Sequence, residues 1–337
     1  MNPDPISLSR RRTLLAASAG LGWAALPALS RAQASAGAWL PTRPVEVVVG
    51  VGPGGAQDRT ARDIERFLKQ GGYAPAGSVV SNRPGGGHAV AMAYTLKHAR
   101  EANVLQVIGG VVLSNNILGR SPISYSQFTP ISILFDELMV FAVSSKSSIK
   151  TAADLVNRLK QDPASVSFSI SSGIGTTNHV SVLLLAKQLG LDVKKIKAVS
   201  FNASTEGVTA TIGGHVDVAV TTPFALNPFV ESGDLRYLAV ASAERAGGAL
   251  AQVPTWRELG YDIVVPAWRG VLAPPGLTAA QIAYWDKAFA AITATPEWKA
   301  MLDAELLVPH RLDSAQTGAY LQSEDKRFRD LLGGFTR

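Results

Sequence analysis

Three stretches of this sequence share one design: an apolar or β-branched run, a cluster of glycines, then a helix-like segment. The first reads Gly52-Pro53-Gly54-Gly55-Ala56-Gln57-Asp58. The second reads Asn82-Arg83-Pro84-Gly85-Gly86-Gly87-His88, and the third Ser171-Ser172-Gly173-Ile174-Gly175-Thr176-Thr177-Asn178. Glycine lets the backbone approach a ligand closely, and a helix N-terminus presents free N–H groups with a partial positive charge. The chemistry such loops perform is anion binding. In the third loop the hydroxyls of Ser172, Thr176 and Thr177 add side-chain donors.

The identity of the anion is the first question. Gly50, Gly52 and Gly55 fit the G-x-G-x-x-G spacing of a dinucleotide fingerprint, between a strand and a helix. That fingerprint wants an acidic residue about 20 positions on, at the end of the next strand, to hold the ribose. Here the strand ends Ser81-Asn82-Arg83, with no acid, and Pro53 removes one N–H from the loop. Arg83 could meet the 2′-phosphate of NADP, so an exported NADP-dependent oxidoreductase stands as the enzymatic alternative. The other reading is a plain carboxylate.

Other chemistry has less support. There is no cysteine, which excludes disulfides, thiolate catalysis and cysteine-based metal sites. His88, His98, His179, His215 and His310 show no metal-ligand spacing, and no G-x-S-x-G elbow occurs. Glu206 and Asp217 do not read as a paired acid and base. His88 and His179 stand at helix starts, in either a capping role or ligand contact. Trp256, Trp268, Trp285 and Trp298 read as packing residues. Nothing demands catalysis, a cofactor or a metal.

The elements that must position these loops follow from patterning. Pro44 to Val51 reads as a buried parallel strand, and Ala61, Ile64 and Leu68 give the next helix an apolar face. Strands at Ser78–Ser81 and Val104–Ile108 continue a strand, glycine loop, helix grammar, which is that of a doubly wound α/β domain. The grammar restarts after the long apolar segment "ISILFDELMVFAVSS". A second long β-like segment appears near "YDIVVPAWRGVLAPPG", and Thr278 to Leu332 reads as wholly helical. Two such segments bracketing residues 145 to 262 predict two lobes, a cleft and a hinge crossed twice. The predicted bounds are residues 35–140 with 266–337 for the first lobe and 141–265 for the second.

Residues 1–34 read as an export signal. Arg10, Arg11 and Arg12 precede an apolar stretch from about Leu14 to Leu29, and Ala32-Gln33-Ala34 is a small-x-small cleavage site. Ser9 to Leu15 also resembles a twin-arginine signal, with Thr13 and Leu15 where phenylalanine and lysine are usual. The general secretory route is the alternative. The apolar stretch is short for a span and is broken by Gly20, Gly22 and Pro27. Cleavage removes four arginines and one aspartate, lowering the formal charge from +6 to +3. With no basic run interleaved with aromatics, nucleic acid is not an expected partner. The mature chain is expected to be soluble and periplasmic.

From its start to its end the mature sequence resembles the periplasmic substrate-binding receptors of tripartite tricarboxylate transporters, the Bug family. The stretches that carry the resemblance are "PGGAQDRTAR", "NRPGGG", "FTPISIL", "SSIKTAADL", "SSGIGTTNH", "GVTATIGGHVD", "VPTWRELGYD", "WRGVLAPPGLT" and "TPEWKAML", in the family's order. The resemblance implies an α/β, bilobed type II periplasmic binding fold, with two doubly wound domains joined by a two-strand hinge. It implies a receptor, not an enzyme, that closes on a small organic acid and delivers it to integral-membrane transporter subunits.

Carried onto this chain, the implied ligand-binding positions in the first lobe are Pro53, Gly54, Gly55, Ala56 and Asp58. In the second lobe they are Ser172, Gly175, Thr176, Thr177, Asn178 and His179. Asp58 is either a ligand contact or a helix cap, and Asp217 either a ligand contact or a strand-end hydrogen-bonding group. The chain departs from the family at Val51-Gly52, where many relatives carry an aromatic residue and a proline. It departs again at Ser200-Phe201-Asn202-Ala203, where many carry Pro-Tyr-Lys-Gly. Phe201, Asn202, Ser204, Thr205 and Glu206 are then expected to shape the pocket. A carboxylate sensor feeding a signalling partner is an alternative that sequence does not separate from uptake.

Overall fold

Val45, Val47, Val48 and Val49 have no exposed surface, which makes β1 (Val45–Val49) an interior strand. A strand covered on both faces reads as an unbroken apolar run, and this one does. The computed structural model describes Met1 and residues 39–335, apart from Gly55, Ser172 and Asn202. The expected export signal therefore lies outside the described residues, save Met1.

After β1 come α1 (Ala56–Gln70), β2 (Ser78–Asn82), α2 (Ala89–Lys97), β3 (Val104–Ile108), α3 (Val111–Ile117) and β4 (Thr129–Glu137). At Leu138 and Met139 the chain leaves this sheet. A second sheet holds β5 (Val140–Ser144), and then, past α4 (Ala152–Gln161), β6 (Ser167–Ser171). It continues through α5 (Thr177–Gln188), β7 (Lys197–Phe201), α6 (Ser204–Ile212), β8 (Val218–Thr221), α7 (Pro223–Glu231) and β9 (Leu235–Val240). Residues 241–266 return the chain to the first sheet. There β10 (Ala267–Ala273), α8 (Ala279–Thr293), α9 (Pro296–Ala304), β11 (Val308–Leu312) and α10 (Ser314–Leu332) complete it.

The first sheet has the order β11-β4-β10-β3-β1-β2 and the second β7-β6-β8-β5-β9. Both are mixed. β1 pairs in parallel with β2 and β3, and β6 in parallel with β7 and β8. The strands flanking each change of sheet, β4 with β10 and β5 with β9, pair antiparallel. The parallel strands point their carboxyl ends, and hence the glycine loops, the same way within each sheet.

Helix starts follow local chemistry. Thr151 with Asp154, Thr278 with Gln281, and Asp313 with Gln316 form capping boxes on α4, α8 and α10. Each box satisfies N–H groups at a helix start that otherwise lack a partner. Trp256, Trp268, Trp285 and Trp298 are all buried. Trp298 packs edge-on against Phe67 at 5.1 Å in the first sheet's core, and Trp256 against Phe141 at 5.1 Å in the second's.

One element differs from the sequence reading. The segment Thr278 to Leu332 is not wholly helical, because β11 interrupts it and pairs antiparallel with β4. This edge strand exposes Val308 and Pro309 and shifts register between Pro309 and Leu312, so it carries no apolar alternation to read. The segment "ISILFDELMVFAVSS" divides into β4 and β5, which belong to different sheets. Among the described residues, no helix is long and apolar enough to cross a membrane.

Candidate functional site

In the first loop, Gly54 has φ +86°, a conformation that glycine adopts without strain. Its N–H donates to Asp58 Oδ2 at 2.9 Å. Asp58 is buried and also accepts from Asn82 Nδ2 (2.8 Å) and from Arg62 Nε and Nη2 (2.9 and 3.2 Å). Burial pushes this carboxyl up, but the hydrogen bonds from Arg62, Gly54 and Asn82 outweigh it and hold the pKa below the ordinary aspartate value. Asn82 Nδ2 also donates to the carbonyl of Val51 (3.0 Å), so the end of β2 is tied to the same loop. Asp58 thus fixes the loop's shape, while Pro53 and Gly54 lie exposed at its tip.

The third loop repeats the device with another residue type. Gly175, also at φ +86°, donates its N–H to His179 Nδ1 at 3.1 Å. His179 is buried and packs edge-on against Phe335 at 5.4 Å. Burial, with a smaller contribution from the nearby Arg120 charge, lowers its pKa to about 4, so the ring is neutral and Nδ1 can accept. Thr176 Oγ1 donates to the carbonyl of Gly173 (2.9 Å), and Asn178 Nδ2 to the carbonyl of Val220 (2.7 Å). The hydroxyl of Thr177 takes no hydrogen bond among the described residues, and the first N–H groups of α5 have no intrahelical acceptor.

The third loop meets the first sheet's α3. A Cβ on Gly110, just past β3, would lie 3.4 Å from Thr177 Oγ1, and one on Gly175 would lie 2.8 Å from Leu118 Cδ1 and 3.0 Å from Ser114 Cβ. Arg120 donates from Nη1 to the carbonyl of Ile174 at 2.8 Å. On another side, the Arg59 guanidinium sits 4.0 Å over the ring of Phe224, in the first turn of α7, and pairs with Glu305 at 3.2 Å. Glycines at 110 and 175 are what allow so close an approach between α3 and the start of α5.

Ser171 Oγ donates to Asn178 Oδ1 and accepts from Ser204 Oγ, each at 3.2 Å. A small depression lined by Ser169, Ser171, Ser204, Gly207, Val220 and Thr221 lies at the ends of β6 and β8. Phe201 borders it from the end of β7, where a Cβ on Gly207 would lie 3.2 Å from its Cδ2. Asp217 stands apart from all of these. It precedes β8, at the opposite edge of the sheet, and its Oδ2 accepts from the N–H and Oγ of Ser167 at 2.8 and 2.6 Å. Of its two sequence readings, the structure displays the strand-end one. Gly55, Ser172 and Asn202 lie outside the described residues.

The second loop does not offer a phosphate site. Arg83 donates to Glu46 Oε1 (3.2 Å) and lies 3.3 Å over the ring of Tyr94, whose hydroxyl donates to Glu46 Oε2 (2.8 Å). Its charge is engaged where a 2′-phosphate would need it. Gly50, the first glycine of the fingerprint, makes room for His88, whose Cγ and Nδ1 would lie 2.5 Å from a Cβ there. His88 is buried at φ 78°, and burial, with the Arg269 charge, lowers its pKa to about 4. Sequence reasoning missed Arg59, Arg120 and Phe224, because contacts between distant segments leave no local spacing to read.

The profile of the family described as "Tripartite tricarboxylate transporter family receptor" matches residues 68–334. Protein BugT of Bordetella pertussis is 28% identical over 241 residues, covering 70% of this chain and 72% of that protein. MatC from Rhodopseudomonas palustris, solved with bound malate, superposes with a TM-score of 0.73 at 22% identity, over 87% of this chain and 100% of that one. A second R. palustris protein, solved with adipate, gives 0.76 at 24% identity, over 87% and 97%. The shared fold is that of periplasmic binding proteins, and the family comprises receptors rather than enzymes. On the match across residues 68–334, this chain belongs to the tripartite tricarboxylate transporter receptor family.

Proposed function

We propose that this protein is a periplasmic receptor that holds a small organic carboxylate between two lobes and hands it to the membrane subunits of a tripartite transporter. One lobe is built on the first sheet and the other on the second, with crossings at 138–139 and 241–266. The observation that supports this reading is the stapled third loop and the start of α5 brought against Gly110 and α3 of the first sheet. α5 directs unpartnered N–H groups and the Thr177 hydroxyl toward the first sheet, and its loop has no acidic side chain to compete with an anion. The carboxylate belongs at that helix start, and the α1 loop with Pro53, Gly54 and Ala56 holds the ligand's other end. Asp58 and His179 act as positioning residues.

Malate and adipate in two related folds make dicarboxylates the first compounds to try. A thermal-shift screen of the mature chain with mono-, di- and tricarboxylates, amino acids, aromatic acids and NADP(H) tests the proposal. Ligand at about 100 times its dissociation constant adds about 2.7 kcal/mol of stability. A carboxylate shift that Thr177→Ala removes is the expected result. Stabilisation by NADP(H) alone would overturn it.

A further inference from the structure

We infer that Phe335 is a positioning residue for the third loop. It reaches over from the end of α10 in the first lobe and holds the His179 ring, so both lobes assemble the α5 anion site. The inference rests on the proposed receptor function for what that loop binds.

α10 carries Leu321, Glu324, Phe328 and Leu331 at alternating spacings of three and four, and the short turn Gly333–Phe335 extends the row to Phe335. Residues so spaced share one helix face. Most of that face is fastened to the first sheet. The N–H of Ile133 in β4 donates to Thr317 Oγ1 at 3.0 Å, and Trp268 Nε1 in β10 donates to Glu324 Oε2 at 3.1 Å. Arg327 donates to Glu324 Oε2 (2.7 Å) and to the carbonyl of Val264 (3.2 Å), in the segment that returns the chain from the second sheet. Leu321 and Phe328 are buried, and Phe328 fills the space beside Gly110. Only the end of the row meets the second lobe, where the Phe335 ring lies edge-on to His179 at 5.4 Å. Further along, α5 and α10 part around a cavity of about 270 Å³, lined by Leu184 and Lys187 on one side and Ser323 and Leu331 on the other. The seam is packed at the His179 end and open beyond it.

His179 needs support from that side. Its Nδ1 accepts from the Gly175 N–H, while its Nε2 takes no hydrogen bond among the described residues. One hydrogen bond leaves an imidazole free to swing about it, and the edge-to-face contact with Phe335 stops the swing. Two more first-sheet contacts hold the same loop: Leu118 and Ser114 lie against Gly175, and Arg120 donates to the carbonyl of Ile174. Each of these supports comes from the opposite lobe. The brace also protects the acceptor state. Protonation would stop Nδ1 from accepting and break the staple. Burial, with the Arg120 charge, keeps the ring neutral, and Phe335 is part of that cover. The charged groups that α5 and α10 place along the seam, Lys187, Lys326 and Asp330, line the cavity further out.

Nuclear magnetic resonance of the mature chain with isotope-labelled histidine rings reads this brace without any ligand. In the wild-type chain, His179 is expected to titrate at about 4 and to show ring-to-ring proton contacts with Phe335. Phe335→Ala should raise the His179 pKa by about one pH unit or more toward the ordinary 6.5. The Gly175 amide proton should then exchange with solvent roughly tenfold faster. His88, buried in the first lobe, should keep its low pKa, which separates a local brace from general loosening. Phe335→Tyr keeps the ring and should leave both readouts as in the wild-type chain. A folded Phe335→Ala chain with both readouts unchanged would overturn the inference, as would equal rises at His179 and His88. So would a wild-type His179 that titrates near 6.5 with no ring contact to Phe335. Failure of the receptor reading would show elsewhere, as a carboxylate screen without a hit, and would not move these readouts.

Discussion

The N–H of Gly175 donates to Nδ1 of His179, four residues further on in the first turn of α5. Gly54 and Asp58 make the same i to i+4 contact at the start of α1, with the same φ of +86° at the glycine. In each loop a side chain captures one glycine N–H, which fixes the loop. The acceptors differ in a way that matters. Asp58 brings a negative charge, which Arg62 balances, whereas His179 brings a neutral ring. The positive end of α5 is therefore not cancelled by its own staple, which favours the third loop as the seat of a carboxylate.

A neutral acceptor makes the third loop sensitive to acid. His179 and His88 both have folded-state pKa values of about 4, below the ordinary histidine value of 6.5. Unfolding raises them, so stability is complete above pH 6.5, falls as the pH drops from 6.5 toward 4, and stops falling on their account below 4. Melting temperature across that window should decline accordingly, while affinity for a fully ionised ligand holds down to about pH 5. His179→Asn keeps an acceptor without titrating, and its melting temperature should decline less steeply. A slope identical to that of the wild-type chain would remove His179 from the account.

Asp58 is expected to matter for the shape of the loop more than for ligand contact. Asp58→Ala leaves the Gly54 N–H and the Asn82 amide without their acceptor, a loss of about 1–3 kcal/mol by denaturant unfolding. Ligand affinity should fall with it, because the α1 loop loses its staple. Arg62→Ala should have a much smaller effect, since Arg62 is half-exposed and water can replace it. Equal losses in the two variants would mean that the charge pair, not the loop staple, is what Asp58 provides.

Much of this was legible in the sequence where the signal is local. The valines of β1, the glycine loops and the helix caps declare themselves within a few residues. Asp58 illustrates the limit: its position in the first helical turn is visible, but its partner Asn82 arrives from β2. Asp217 shows the converse. A residue beside a strand can be recognised, yet which edge of the sheet it occupies depends on strand direction, and here it lies away from the loops. β11 was hidden because an exposed edge strand containing proline lacks alternation.

The Arg59–Phe224 contact joins the two sheets' helices at a half-exposed position and should report on closure. A cation over an aromatic face at an exposed site contributes about 0.5–1 kcal/mol. Phe224→Ala is therefore expected to weaken ligand binding about twofold to fivefold, chiefly through faster dissociation measured by stopped flow. The melting temperature of the unliganded variant should stay close to that of the wild-type chain if the contact acts mainly in closure. A large drop would instead make Phe224 part of the folded core.

Gly110 and Gly52 provide a matched pair for locating recognition. A Cβ at Gly110 would lie 2.9 Å from Phe328 Cζ and 3.4 Å from Thr177 Oγ1, although its backbone conformation suits alanine. Gly110→Ala should overpack this contact at a cost of about 1–3 kcal/mol and keep Thr177 from its place, so affinity falls. Gly52 has no atom within 4 Å of its Cβ position and no positive φ, so Gly52→Ala should leave stability and affinity nearly unchanged. In a dinucleotide fold the second fingerprint glycine admits the pyrophosphate, and alanine there would block it. Carboxylate binding that survives Gly52→Ala and fails with Gly110→Ala places recognition between α3 and α5; the opposite pattern would place it on the first loop's backbone.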